Sequence, residues 1–300
     1  MRRSFHLPSL VLLALPLLSG CIVAQTRRSD DRRYDDRRYD DRRESDRRSD
    51  DRDSYSRQDT PFHWSGEVDR GRWVYIRNLN GRVRVEEGTG NKVEITGVKS
   101  WRRGNPEDVR ISVRQTGSGR GDLIVCALWR DRDSCDEDGY RSSNSSSFWN
   151  FNRNNDVNVE FTIKIPSGLR VNARSVNGDV TVDGATGEVV AHTTNGSVEA
   201  RSTSGPVSAR TTNGNIFGRS GRFEGGHTDY ATTNGSITVE MPSNVNADVE
   251  MRTTNGHLSS DFPITVEGKF STRRLNARLG SGGPLVRLST TNGSIRLRRI

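Results

Sequence analysis

Glycines recur every nine residues at Gly178, Gly187, Gly196, Gly205 and Gly214, and two places after each comes Val180, Val189, Val198, Val207 or Ile216. Two positions further on stand Val182, Ala191, Ala200, Ala209 and Gly218. Every second unit carries Asn-Gly, at Asn177-Gly178, Asn195-Gly196 and Asn213-Gly214, so the full period is 18 residues. The step continues at Asn234-Gly235, Asn255-Gly256 and Asn292-Gly293, where insertions lengthen the period, and Thr-Thr precedes Asn in the last five. A unit this short cannot bury an apolar face alone, so it must stack on its neighbour.

One turn of 18 to 21 residues holds two short strands and two tight corners. Val198 and Ala200 point inward while Glu199 and Arg201 point out, because successive side chains alternate across a strand. Asn-Gly supplies the positive φ that a corner demands. An antiparallel meander also uses Asn-Gly hairpins flanked by alternating apolar residues. Translation of like residues at 18 favours the solenoid, where Asn and Thr stack on their own kind and satisfy one another's amides and hydroxyls. The predicted fold class is therefore all-β, a parallel β-solenoid with about 18–21 residues per turn.

The chain ahead of the repeat also reads as strands. Trp73-Val74-Tyr75-Ile76, Arg82-Val83-Arg84-Val85, Lys92-Val93-Glu94-Ile95 and Val157 to Ile163 alternate apolar and polar residues. Hydrophobic residues make up 31% of the 300, which argues for a thin interior. Residues 131–155, rich in Ser, Asn and Asp, read as a loop insertion. Its Phe148, Trp149 and Phe151 either fold back onto the body or form a contact patch for sugar or a partner.

The N-terminus carries an address. Arg2 and Arg3 precede a short apolar run, Leu7 to Leu18, that is broken by Pro8 and Pro16. A charged start, a stretch too short to span and a small-residue exit describe an export signal, residues 1–20. Leu18-Ser19-Gly20-Cys21 resembles the lipobox of bacterial lipoproteins, which implies lipidation of Cys21 and a mature chain anchored to a membrane. From Arg27 to Asp53 a five-residue unit repeats, with eleven Arg against eleven acids. Ordering it would cost about 1–2 kcal/mol per residue with nothing buried in return. Residues 21–60 are thus expected to be a disordered tether, and residues 61–300 the solenoid.

With Cys21 lipidated, Cys126 and Cys135 remain in an oxidising compartment, where paired cysteines close a disulfide. The histidines form no metal-ligand spacing, and no metal or cofactor is expected. Asp179 with Asp183, or Glu188 with Glu199, would have to serve as the paired carboxylates of a glycosidase, yet Asp179 adjoins a corner and Glu199 faces Arg201. Solvated surface charge is the better account, so the chain is read as no enzyme. Net charge is +8, carried almost wholly by arginine, but export and the absence of a basic helix argue against nucleic acid.

The recurring Asn-Gly-x-Val/Ile, the lead-in Pro166-Ser167-Gly168-Leu169-Arg170-Val171 and the Thr-Thr-Asn-Gly corners resemble the bacterial putative-adhesin family of unknown function. The resemblance spans Trp73 to Ile300 and implies a right-handed parallel β-helix in an exported or envelope protein. It carries over no catalytic residues. The expected role is a lipid-anchored, non-enzymatic envelope module, periplasmic or at the cell surface, that binds a protein or polysaccharide. An envelope-stress sensor or scaffold acting through a membrane partner, and a carbohydrate-active β-helix enzyme, are the alternatives.

Overall fold

The computed structural model describes residues 57–117, 119–129, 133–141, 155–221, 228–263, 265–266 and 271–300. Two long sheets face each other across a thin core, and each turn of chain contributes one strand to each. We call the sheet containing Val83–Glu87 wall I and the sheet containing Trp73–Arg77 wall II.

The central turns stack in chain order. On wall I, Val180–Ala185, Val198–Ser202, Ile216–Ser220 and Ile237–Met241 are parallel neighbours, with Val180 beside Val198, Val198 beside Ile216 and Ile216 beside Ile237. On wall II, Arg170–Arg174, Val189–His192, Val207–Arg210 and Thr228–Asn234 follow the same rule. The 18-residue period is thus one rung, and like residues become neighbours because the period equals the contour length of a turn.

Both ends depart from sequential stacking. The rung of Trp73–Arg77 and Val83–Glu87 lies inside that of Leu123–Leu128 and Asn158–Ile165, although it comes first in the chain. At the other end the last rung, Leu285–Asn292 with Ile295–Arg299, inserts between Thr228–Met241 and the rung of Ala247–Asn255 with Leu258–Ser260. Antiparallel strands finish the stack: Lys92–Trp101 on Asn158–Ile165, Arg110–Gln115 on Leu123–Leu128, and Arg274–Leu279 on Ala247–Asn255. They occupy the unpaired N–H and C=O groups that an open sheet edge would present. Arg57–Gln58 pairs with Ser100–Trp101, so the folded body reaches back into the segment assigned to the tether. The expected loop at 131–155 holds a small hairpin, Ser134–Cys135 with Tyr140–Arg141.

The interior is thin, as the Val/Ala alternation requires. Val198, Ala200, Val207 and Ala209 are all buried. Where the repeat has Gly218 at an alanine position, the ring of Tyr230 fills the space; a Cβ on Gly218 would lie 2.3 Å from it. The small residue on one wall and the large one on the other keep the core filled.

One corner runs the length of the stack. Asn177, Asn195, Asn213, Asn234, Asn292 and Asn255 each donate a side-chain N–H to the amide oxygen of the asparagine one rung back, at 2.7–2.8 Å, starting from Asn80. Asn80-Gly81-Arg82-Val83 is the same motif, placed ahead of the regular repeat. The expectation that hydroxyls satisfy one another is corrected: Ser175, Thr193, Thr211, Thr232, Thr290 and Thr253 donate to glycine carbonyls of the adjacent rung at 2.8–3.1 Å. The close approach explains the glycine as much as its φ of +157° does. A Cβ at Gly214 would lie 2.0 Å from the carbonyl oxygen of Gly196.

Candidate functional site

With the inward side chains spent on the core, chemistry can only be carried by the outward rows and the corners. On wall I several outward charges are paired. Arg201 pairs with Glu199 and lies 3.6 Å from Asp183, and its guanidinium sits 4.9 Å from the centre of the Phe217 ring. Arg219 and Arg298 both reach Glu240, at 2.8 and 3.0 Å, and Glu240 is 5% exposed. A shallow concavity of about 520 Å³ lies over this wall, lined among others by Arg84, Glu86, Asp183, Glu199 and Arg201.

Three of the four acids weighed for glycoside hydrolysis have other duties. Asp179 accepts the backbone N–H of Ser197 at 2.8 Å and so ties one corner to the next. Asp183 and Glu199 share Arg201. Among the described residues no group of three or more His, Cys, Asp or Glu could hold a metal ion.

Wall II carries a second, smaller apolar cluster on its outer face, of Ile124, Cys126, Leu128 and Cys135 with Tyr75 and Tyr140. The hairpin Ser134–Arg141 folds over it. Cys126 and Cys135 have Cα atoms 6.4 Å apart, within the span of a disulfide. Tyr140 donates to the carbonyl of Ala127 at 2.9 Å, and burial pushes its hydroxyl well above the ordinary tyrosine value. Arg77 lies under the hairpin, 1% exposed, and donates to the Asn172 and Glu137 carbonyls. Burial, followed by the neighbouring Arg174, pulls its guanidinium down to about 10. Arg174 donates to the carbonyl of Asp138 at 2.8 Å.

The sequence-predicted sites thus fall apart in space. The corner asparagines and glycines of the six predicted steps lie in one ladder, with Asn80 and Gly81 as a seventh step that the motif itself could have revealed. Cys126 and Cys135 meet on wall II. Cys21, Phe148, Trp149 and Phe151 lie outside the described residues. Arg77, buried under the hairpin, had no signal in the local pattern, because its strand neighbours reveal an outward position but not what covers it.

Among solved structures, the chain is similar to a putative cell adhesion protein of Clostridium sporogenes ATCC 15579, at 12% identity and a TM-score of 0.45 over 80% of this chain and 100% of that one. It is also similar to a putative adhesin of Bacteroides fragilis NCTC 9343, at 10% identity and a TM-score of 0.35 over 80% and 97%. No curated protein matches. Residues 153–298, which contain six of the ladder's Asn-Gly corners, match the model of the Toastrack DUF4097 family, a family of unknown function.

Proposed function

We propose that the chain is a non-enzymatic, lipid-anchored protein of the bacterial cell envelope, whose solenoid walls bind a protein or polysaccharide partner. The observation that carries this reading is how the outward carboxylates are used. Of the acids weighed as catalytic pairs, Asp179 is tied to a corner amide, and Asp183 and Glu199 share one arginine, so neither pair keeps two uncommitted carboxylates. Repeated rungs build extended walls, which suit binding along a length better than chemistry at a point. The charged start, short apolar run and Leu18-Ser19-Gly20-Cys21 support export and lipidation.

Globomycin treatment followed by membrane fractionation tests the anchor: unprocessed precursor should accumulate, and a Cys21→Ser chain should leave the membrane fraction. Proximity labelling from the N-terminus tests the role. Recovery of envelope polymers or surface proteins supports binding, and an inner-membrane signalling protein would favour the sensor instead.

A further inference from the structure

The outward positions of wall II form rows that run along the stack, since strand register relates each residue to one on the next rung. One row is exceptional in composition. It reads Arg77, Arg174, His192, Arg210, Ala231, Ser289, Arg252 and Arg274 across eight neighbouring strands. Six of its eight members are arginine or histidine, and none is acidic.

The first two members already take oxygen ligands from the chain itself. Arg77 and Arg174 donate to the carbonyls of Glu137 and Asp138, in a hairpin that also holds Asp136. The rest of the row is open: His192, Arg210, Arg252 and Arg274 are exposed. Arg210 is paired with Asp229. Glu250, largely buried, gathers Arg252 at 3.1 Å, Arg274 at 3.6 Å and Arg287 at 3.1 Å. A carboxylate offers about four lone-pair sites, while three guanidiniums bring about fifteen N–H donors. Most of those donors face solvent, on side chains whose positions Glu250 holds in advance.

We propose that the open row from His192 to Arg274 is a binding track for a linear acidic polysaccharide bearing a carboxylate on its sugar units. This rests on the non-enzymatic binding reading above. Guanidinium forks match carboxylate geometry. Five strand steps of about 4.8 Å make the track about 24 Å long, yet it is a single residue wide. The adjoining row reads Asp229, Arg287 and Glu250, whose two acids would lie against a flat anionic membrane but flank a single polymer chain.

The test is binding of the full chain to polygalacturonate, with its methyl ester, neutral dextran and phosphatidylglycerol vesicles as comparisons. The proposal expects polygalacturonate to bind and the uncharged polymers not to. An R210Q/R252Q/R274Q chain should lose at least about tenfold in affinity, while R84Q/R296Q/R299Q, which removes three charges away from the track, stays within about twofold. R210K/R252K/R274K, which keeps the charge, should recover part of the loss, and a far-UV circular dichroism spectrum and melting temperature matching those of the unaltered chain show that the glutamine variant is folded. Equal binding by the glutamine variant, equal binding of the ester, no binding of polygalacturonate, or binding of vesicles alone would each overturn the proposal. Neutral dextran bound in place of polygalacturonate would overturn it while leaving the binding reading intact, whereas turnover of polygalacturonate would overturn that reading instead.

Discussion

The middle of the stack and its two ends are built from the same rung, yet only the middle keeps chain order. From Arg170 to Met241 each turn lies on the one before it. At the ends the first and last rungs slip inside their neighbours in sequence. The difference teaches what the repeat specifies. An asparagine with a glycine beside it can accept any rung that presents the same pair, so the ladder chemistry sets the register and leaves the neighbour's identity open. Order is then decided by connection length. Short links in the middle permit only the adjacent rung, whereas the longer insertions between Met241 and Leu285 and between Glu87 and Asn158 let a later rung dock first.

The largest test of this contrast is a corner glycine. Gly214→Ala drives a Cβ into the Gly196 carbonyl from the middle of the stack and should cost about 3 kcal/mol. Gly256→Ala meets Gly293 as closely, at 1.9 Å, but its rung lies toward the end of the stack and can shift or fray. Thermal melts should therefore show the smaller loss for Gly256→Ala; equal losses would mean that ends and middle are equally rigid.

Removing the cysteine pair at the N-terminal end comes next. A disulfide between Cys126 and Cys135 would close a short loop, so Cys126→Ser with Cys135→Ser should destabilise by about 2.5 kcal/mol in the chain-entropy account. Hydrogen exchange should rise in Leu123–Leu128 and the hairpin while the central rungs stay protected. Uniform loosening would show that the stack melts as one unit.

Asparagine changes sharpen the comparison further. Asn213→Ala breaks a ladder bond on each side and should cost about 2 kcal/mol by denaturant titration, whereas Asn255→Ala, at the ladder's terminus, breaks one and should cost about 1 kcal/mol.

The smallest effect is a pH dependence. Partial desolvation of its ring, then the charges of Arg174 and Arg210, hold His192 below the ordinary histidine value of 6.5 although the residue is exposed at the surface. The unfolded chain therefore takes up this proton first as pH falls, so the folded state loses stability on acidification through and below about 6.5 and regains it above. His192→Gln should flatten that part of the stability profile; an unchanged profile would assign the dependence to other groups.

Much of this was legible beforehand. Glycines nine apart and Asn-Gly at 18 are direct readings of a turn's length, and alternation at Val198, Glu199, Ala200 and Arg201 separates inside from outside. The exchanged ends were not legible, because Asn255 and Asn292 carry identical motifs and nothing local ranks them. Nor was the basic row on wall II. His192, Arg210 and Arg252 are ordinary outward residues one strand at a time, and they form a line only once register, including the inserted Ser289, is known.

Stacking order itself can be read by trapping. Thr238 lies beside Arg296 on wall I, and Arg296 in turn separates it from Ser259. Under mild oxidation a T238C/R296C chain should form an intramolecular crosslink, seen as a mobility shift and a linked peptide by mass spectrometry, and T238C/S259C should not. Efficient crosslinking of T238C/S259C with none in T238C/R296C would mean that the rungs stack strictly in chain order, contradicting the exchanged end.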